Sequence, residues 1–244
     1  MTKTGIVIQA RMGSTRRPGK VSYEILGEAM LVHQIKRLQS AGLEDIIIAT
    51  TTNSNDDWVE SCCQEMHILC FRGSEDDVLK RYLDCAIEYQ LDYVVRVGGD
   101  DPLIDPQGIR ALIEKSKNYE ADFYYASHPK GWIYGTAAEM VTMDALKRMD
   151  QMAKSALDRE HVVSYIRKSS EFTQLKVETP QKIQRPDIYF SVDYQEDLDL
   201  VEQVLEHFHG LGKLHTFSQY ELVELYDSGK LDIQNKHLHE GFGD

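Results

Sequence analysis

Hydrophobic and polar positions alternate between two periods along the first half of the chain. Short β-branched runs at Gly5–Gln9, Asp45–Thr50, His67–Phe71 and Tyr93–Val97 are each bounded by polar or turn-forming residues and read as buried strands. Between them, apolar residues recur at helical spacing over Glu28–Ala41, Asn55–Gln64 and Glu75–Gln90. Ser74 and the acids after it, in "SEDDVLKRYLDCAIEYQ", suit the start of the third helix, with Ser74 as the expected cap. Another helix is expected after Asp105, with Pro106 in its first position. Strand and helix in alternation predict βαβ units, hence a mainly parallel sheet with helices on both faces.

From about Glu120 the rhythm loosens. "ADFYYASHPKGWIYGTAAEMVTM" is aromatic and broken by Pro and Gly, and it reads as strands joined by a long loop. A helix is expected over Ala156–Ser169, then strands near Phe172–Glu178 and Ile188–Val192, then helices at Gln195–His209 and Gln219–Ser228. The final dozen or so residues look frayed, and His207, His209, His237 and His239 look exposed. No repeat, linker or low-complexity segment interrupts the pattern, so residues 1–244 are expected to form one domain, with 123–190 its looser part.

Composition narrows the classes of function. With 27 basic against 40 acidic residues the formal charge is −13, which argues against general binding to nucleic acid or an anionic membrane. No apolar run reaches the length of about 18 residues that a spanning helix needs, and "MTKTGIVIQA" lacks the order of a signal peptide. A cytoplasmic protein is expected. Cys62, Cys63, Cys70 and Cys85 show no metal-binding spacing and read as reduced, partly buried thiols.

Against that acidity, the first strand runs straight into "RMGSTRRPGK", which gathers Arg11, Arg16, Arg17 and Lys20. Ligands of open α/β sheets bind at the carboxyl ends of strands. Glycines there allow close backbone approach, the hydroxyls of Ser14 and Thr15 can donate, and the cations suit polyphosphate. The spacing is not a Walker A loop, since Val21 follows Lys20, and no G-x-G-x-x-G follows any strand. Alone, the cluster reads equally well as a solvated loop offsetting local acidity, and on either reading Lys20 is expected to carry no core packing. Two acidic turns change the balance. "RVGGDDPLIDP" sets Asp100 and Asp101 at the end of the fourth strand, and "IYFSVDYQEDLDLV" sets Asp193 between a strand and a helix. Carboxylates at two strand ends can share one divalent cation facing the phosphates.

"QARMGSTRRPGK", "FRGSEDDVLKRY", "GGDDPLIDP", "REHVVSYI" and "SVDYQEDLDLV" together resemble the sugar-activating cytidylyltransferases, in family order from about residue 5 to 205. The nearest branch in motif is that of the spore-coat polysaccharide proteins, related to the enzymes making CMP-linked ulosonic acids. The resemblance implies a three-layer α/β/α fold with a mainly parallel, mixed sheet of the nucleotide-diphospho-sugar transferase type. It implies a nucleotide site formed by Gln9, Ala10, Arg11, Gly13, Ser14, Arg16, Lys20, Arg72, Gly73, Gly99 and Asp100. Mg²⁺ is expected on Asp100 and Asp193, and Arg11, Lys20, Asp100 and Asp193 are the expected catalytic residues. This sequence departs from the family pattern at Arg17, where leucine is usual, and at Gly98, where a polar residue is usual.

The activity so implied is transfer of CMP from CTP to a small-molecule acceptor with loss of pyrophosphate. Acceptor contacts are expected from His128, Lys130, Trp132, Tyr134, Glu139, Arg159 and His161, each of which has a structural alternative in core or dimer packing. A CDP-linked product, a glycosyltransferase using the acidic motif, and a nucleotide-binding regulator are the rival functions. A homodimer is expected as in relatives, with the aromatic segment 123–142 as the candidate interface.

Overall fold

The computed structural model of the chain describes residues 2–14, 16–126 and 131–239. Strand β1 (Thr4–Gln9) is buried along Gly5–Ile8 and becomes the middle of the main sheet. After a 3-10 turn at Lys20–Ser22, β2 (Glu24–Ile25) and β3 (Glu28–Ala29) pair as a separate small hairpin. Leu26 at φ 51° and Gly27 at φ 80° make its turn. Glu28 is therefore spent on the hairpin, and helix α1 (Met30–Ser40) begins after the position the helical period suggests.

The alternation then runs as predicted: β4 (Ile46–Thr51), α2 (Asp57–Glu65), β5 (Leu69–Gly73), α3 (Val78–Glu88), β6 (Tyr93–Gly98) and α4 (Pro106–Asn118). Strands β5, β4, β1 and β6 lie parallel in that order, with Ile6 opposite Ile46 on one side and Val95 on the other. The second half adds β7 (Phe123–Tyr125), β8 (Glu139–Thr142), α5 (Met143–Met152), α6 (Ala156–Glu160), α7 (Ser164–Lys168), β9 (Gln174–Lys176), α8 (Gln195–Gly210) and α9 (Gln219–Asp227). The complete seven-stranded order is β5-β4-β1-β6-β8-β7-β9, with β8 antiparallel to both neighbours.

Strand geometry sends alternate side chains to opposite faces and so creates two cores. Ile6 and Ile8 of β1 pack with α1, α4 and α8, while Val7 packs with α3 and α5. This is the expected three-layer α/β/α arrangement. Each fully buried Ile or Leu contributes about 1.5–3 kcal/mol before entropy is counted. Among the described residues, no helix is long and apolar enough to cross a membrane.

Four local expectations change. Asp77 caps α3 by accepting from Lys80 N at 2.9 Å, whereas Ser74 accepts from Asp77 N one turn earlier. The helix expected over 156–169 is broken by Val162 at φ 55°, giving α6 and α7. Residues 188–192 make only one bridge, Tyr134 to Tyr189, since the rest of that segment bonds to loops. The tail is not frayed through His239: Asn235 is buried and bonds to Tyr189 O and Asp197, and His239 stacks on Tyr189. The aromatics of 123–142 are largely used in the chain's own core, with Phe123, Tyr124, Trp132 and Ile133 buried, which removes the compositional argument for an interface there.

Candidate active site

The loop after β1 is shaped by its backbone. Met12 O accepts from Ser14 N at 3.0 Å and Gly19 N at 2.8 Å, closing the excursion, and Gly19 at φ 75° permits the return. Met12 N donates to Asp56 Oδ1 at 2.7 Å, and Thr51 Oγ1 and N hold the other oxygen of Asp56. With the backbone so fixed, Lys20 is carried inward rather than left on the loop surface. It is 8% exposed, and Nζ donates to Asp100 Oδ2 at 2.9 Å, Asp193 Oδ1 at 3.0 Å and Val192 O at 2.7 Å. Burial pulls the ammonium pKa down, but the two carboxylates outweigh it and the net shift is upward. The expectation that Lys20 carries no packing is thus overturned. Arg16 Nη2 also reaches Asp193 Oδ1, at 2.9 Å, but its side chain is largely exposed. Arg17 turns instead onto the ring of Tyr23, 5.3 Å from its centre.

The acidic turns are placed by close approach of strand ends. Gly99 N donates to Gln9 O at 2.8 Å, and a Cβ at Gly99 would stand 2.7 Å from that same oxygen, so only glycine lets β6 end against β1. A Cβ at Gly98 would lie 2.4 Å from Asp100 Oδ1 and 2.8 Å from Asp101 Oδ2. The acid pair fills the space a side chain at this position would need. Gln34 of α1 donates to Gly98 O and Asp101 O and fixes the turn. Asp101 is pushed up to about 8 by burial and by its neighbour Asp100. Val192 N donates to Asp100 O at 2.8 Å, which brings Asp193 beside the same turn. Asp197 accepts from the N–H groups of Asp193 and Tyr194 and so orients the start of α8.

Gln9, Ala10, Arg11, Ser14, Arg16, Lys20, Gly99 and Asp100 border one cleft of about 410 Å³. That volume falls in the range of small-ligand sites. Asp193 is joined to it through Lys20. Gly13 lies exposed on the loop outside the lining. Arg72 is also outside, bonding Thr51 O, Asn53 O and Glu60 and bracing the turn that carries Asp56. Gly73 packs beneath Phe71 and Arg81.

The acceptor candidates are scattered. His128 and Lys130 lie outside the described residues. Trp132 is buried, with Nε1 donating to Asp105 Oδ2 at 2.5 Å. Tyr134 stacks on Tyr189 with centres 4.5 Å apart, and its hydroxyl is pushed up to about 12 by burial and by Asp101, Asp100 and Asp193. Glu139 lies between Arg96 and Arg167, which hold its carboxyl below the usual range despite burial. Arg159 ties α6 to Asp77 and to Asp150, each below 2.8 Å. His161 alone of the described candidates borders the cleft, beside Glu160.

Two cleft residues escaped the sequence reading. Arg81 is buried on α3, and its Nε has no hydrogen-bond partner among the described residues; burial lowers its pKa. Arg96 pairs with Glu139 through Nη1 while its Nε is likewise buried and unpartnered. A charge inside the apolar run "YVVRVG" was a legible signal for Arg96, whereas Arg81 needed the phase of its helix. The donor set at Asp100 and Asp193 is all oxygen and meets on a single cation, Lys20, which suits a hard divalent ion such as Mg²⁺.

A cation-lined cleft at the carboxyl ends of parallel strands, with Asp100 on its wall and Asp193 joined to it through Lys20, is a site of the nucleotidyltransferase type. The comparisons narrow this. The model of the cytidylyltransferase family matches residues 5–230, and the chain belongs to that family. It is 35% identical over 206 residues to an uncharacterized protein of Methanocaldococcus jannaschii, covering 83% of each chain. It is 27% identical over 225 residues to the spore coat polysaccharide biosynthesis protein SpsF of Bacillus subtilis, covering 90% of this chain and 92% of that one. The structure of a cytidylyltransferase from Leptospira borgpetersenii superimposes with a TM-score of 0.87 at 28% identity, covering 93% of this chain and 95% of that one.

Proposed function

We propose that this nucleotidyltransferase moves CMP from CTP to an oxygen of a small-molecule acceptor. The observation that carries the reading is the meeting of Arg11, Arg16, Lys20 and Arg81 with Asp100 at one cleft where β1 and β6 end. The acceptor oxygen forms a bond to the α-phosphorus while the bond from that phosphorus to the bridging oxygen breaks, and pyrophosphate departs with the electron pair. Positioning and neutralisation dominate such a step. Arg11 and Lys20 steady the departing pyrophosphate, and Arg81, whose buried Nε has no partner among the described residues, is placed to add a further donor. Asp100 and Asp193 would hold Mg²⁺, which neutralises triphosphate charge and polarises the α-phosphate when bound.

His161 and Glu160 mark the acceptor side, and the acceptor is a sugar acid or related polysaccharide precursor, in line with the similarity to SpsF. A homodimer working in the cytoplasm completes the reading. Pyrophosphate release, measured with each of the four common nucleoside triphosphates against a panel of sugar acids and sugar phosphates, tests it. Release dependent on CTP and a sugar acid supports it; release only with a phosphorylated acceptor points to a CDP-linked product. Turnover of a nucleotide-sugar without pyrophosphate would overturn it, and a monomer in sedimentation at micromolar concentration would remove the dimer.

A further inference from the structure

Away from the cleft, Glu28 of β3, His33 of α1 and His215, between α8 and α9, bring one donor atom each within 4.8 Å of one another. None of the three borders the cleft. His33 is fully buried, and its Nε2 stands 2.7 Å from Ile25 O. A carbonyl can only accept, so Nε2 donates to it and Nδ1 is the ring atom turned toward His215. Nδ1 stands 3.1 Å from His215 Nε2, a ring-to-ring hydrogen bond whose two nitrogens an ion could share in its place. Two imidazole nitrogens held by one ion at about 2.0–2.1 Å lie about 2.9 Å apart at a right angle and about 3.3 Å apart in a tetrahedron. The observed separation falls between these.

Glu28 supplies the third donor. Lys36 pairs with its Oε1, while Oε2 is buried and has no hydrogen-bond partner among the described residues. A buried acceptor left unpaired beside two ring nitrogens calls for a donor or a cation. The Ile25 carbonyl orients His33 in the way backbone carbonyls orient metal-bound histidines.

We propose that Glu28, His33 and His215 form a site for one borderline divalent transition-metal ion, zinc foremost, with water completing its coordination. Two imidazoles with one carboxylate favour such an ion over Mg²⁺, which sets this site apart from the aspartates of the cleft. A bound ion ties the β2–β3 hairpin and α1 to the segment between α8 and α9. Next to His33 stands Gln34, the residue that fixes Gly98 and Asp101, so the ion would stiffen a support of the cleft.

The test is calorimetric titration of the chelator-treated protein with Zn²⁺, in buffer containing Mg²⁺. One zinc per chain is expected. His215→Ala and Glu28→Gln should each weaken binding by at least about tenfold, as loss of a ligand requires, and Asp100→Asn should leave it intact. Zinc should raise the melting temperature of the wild type and not that of His215→Ala, and Co²⁺ should give visible ligand-field bands that this variant loses. Glu28→Gln preserves shape and the hairpin, and so guards against a folding defect. Absence of zinc binding to the wild type, wild-type affinity in His215→Ala, or loss of zinc in Asp100→Asn would each overturn the site.

Discussion

The loop Arg11–Lys20 and the segment 123–190 are both rich in the residue types from which binding sites are built, yet they use them differently. In the loop, backbone bonds through Met12 and Asp56 fix the conformation, and the side chains of Arg11, Ser14 and Arg16 are left to line the cleft. In the later segment the side chains themselves hold the structure. Trp132 is tied to Asp105, Tyr134 to Tyr189, Glu139 to two arginines and Arg159 to two aspartates. Residue type therefore reports function only where the main chain already carries the structural role.

The sharpest way to break this contrast is at Lys20, the loop cation that is also buried. Lys20→Ala should lower kcat/KM with CTP by about 10²–10³-fold. It should also cost about 3–5 kcal/mol of stability in urea unfolding, because two carboxylates lose their shared partner. Wild-type stability together with lost activity would return Lys20 to the status of a solvated loop residue.

The aspartates come next. Asp100→Asn and Asp193→Asn should each reduce turnover by about 10²-fold or more, and the double variant should lose little beyond the worse single one, because groups acting on one cation are non-additive. Multiplicative losses in pyrophosphate release would assign them separate roles. EDTA should remove activity, and excess Mg²⁺ should restore it.

Glu139 tests the structural side. Its folded-state pKa is depressed, so its stabilisation is present above the unfolded value of about 4.3 and lost as pH falls through the folded value. Glu139→Gln should cost about 1.5–3 kcal/mol at neutral pH, and the gap from wild type should close in acid. A gap independent of pH in thermal melts would deny the ion pair.

The smallest effects separate neighbours. His161→Ala should raise the KM for the acceptor by about tenfold while changing stability by no more than about 0.5 kcal/mol. Arg159→Ala should do the reverse, lowering the melting temperature with KM unchanged. An exchange of these two outcomes would show that the ion pairs of Arg159 in the free protein give way to substrate.

The sequence by itself determined the βαβ half of the fold, because strand and helix periods are local and each run is long enough to show its own. It also determined much of the cleft lining, since Gln9, Arg11 and Asp100 follow the ends of β1 and β6, and those strands lie parallel side by side. Residue type and position in a motif were enough there. Only the tertiary structure decided that Arg72 braces a turn, that Arg81 lines the cleft, and that Lys20 is buried between Asp100 and Asp193. It alone decided that Ile188–Val192 lies along loops rather than in the sheet, and that Glu28, His33 and His215 meet. Those outcomes depend on which long-range partner each polar group finds when water is excluded, and no local period encodes that choice.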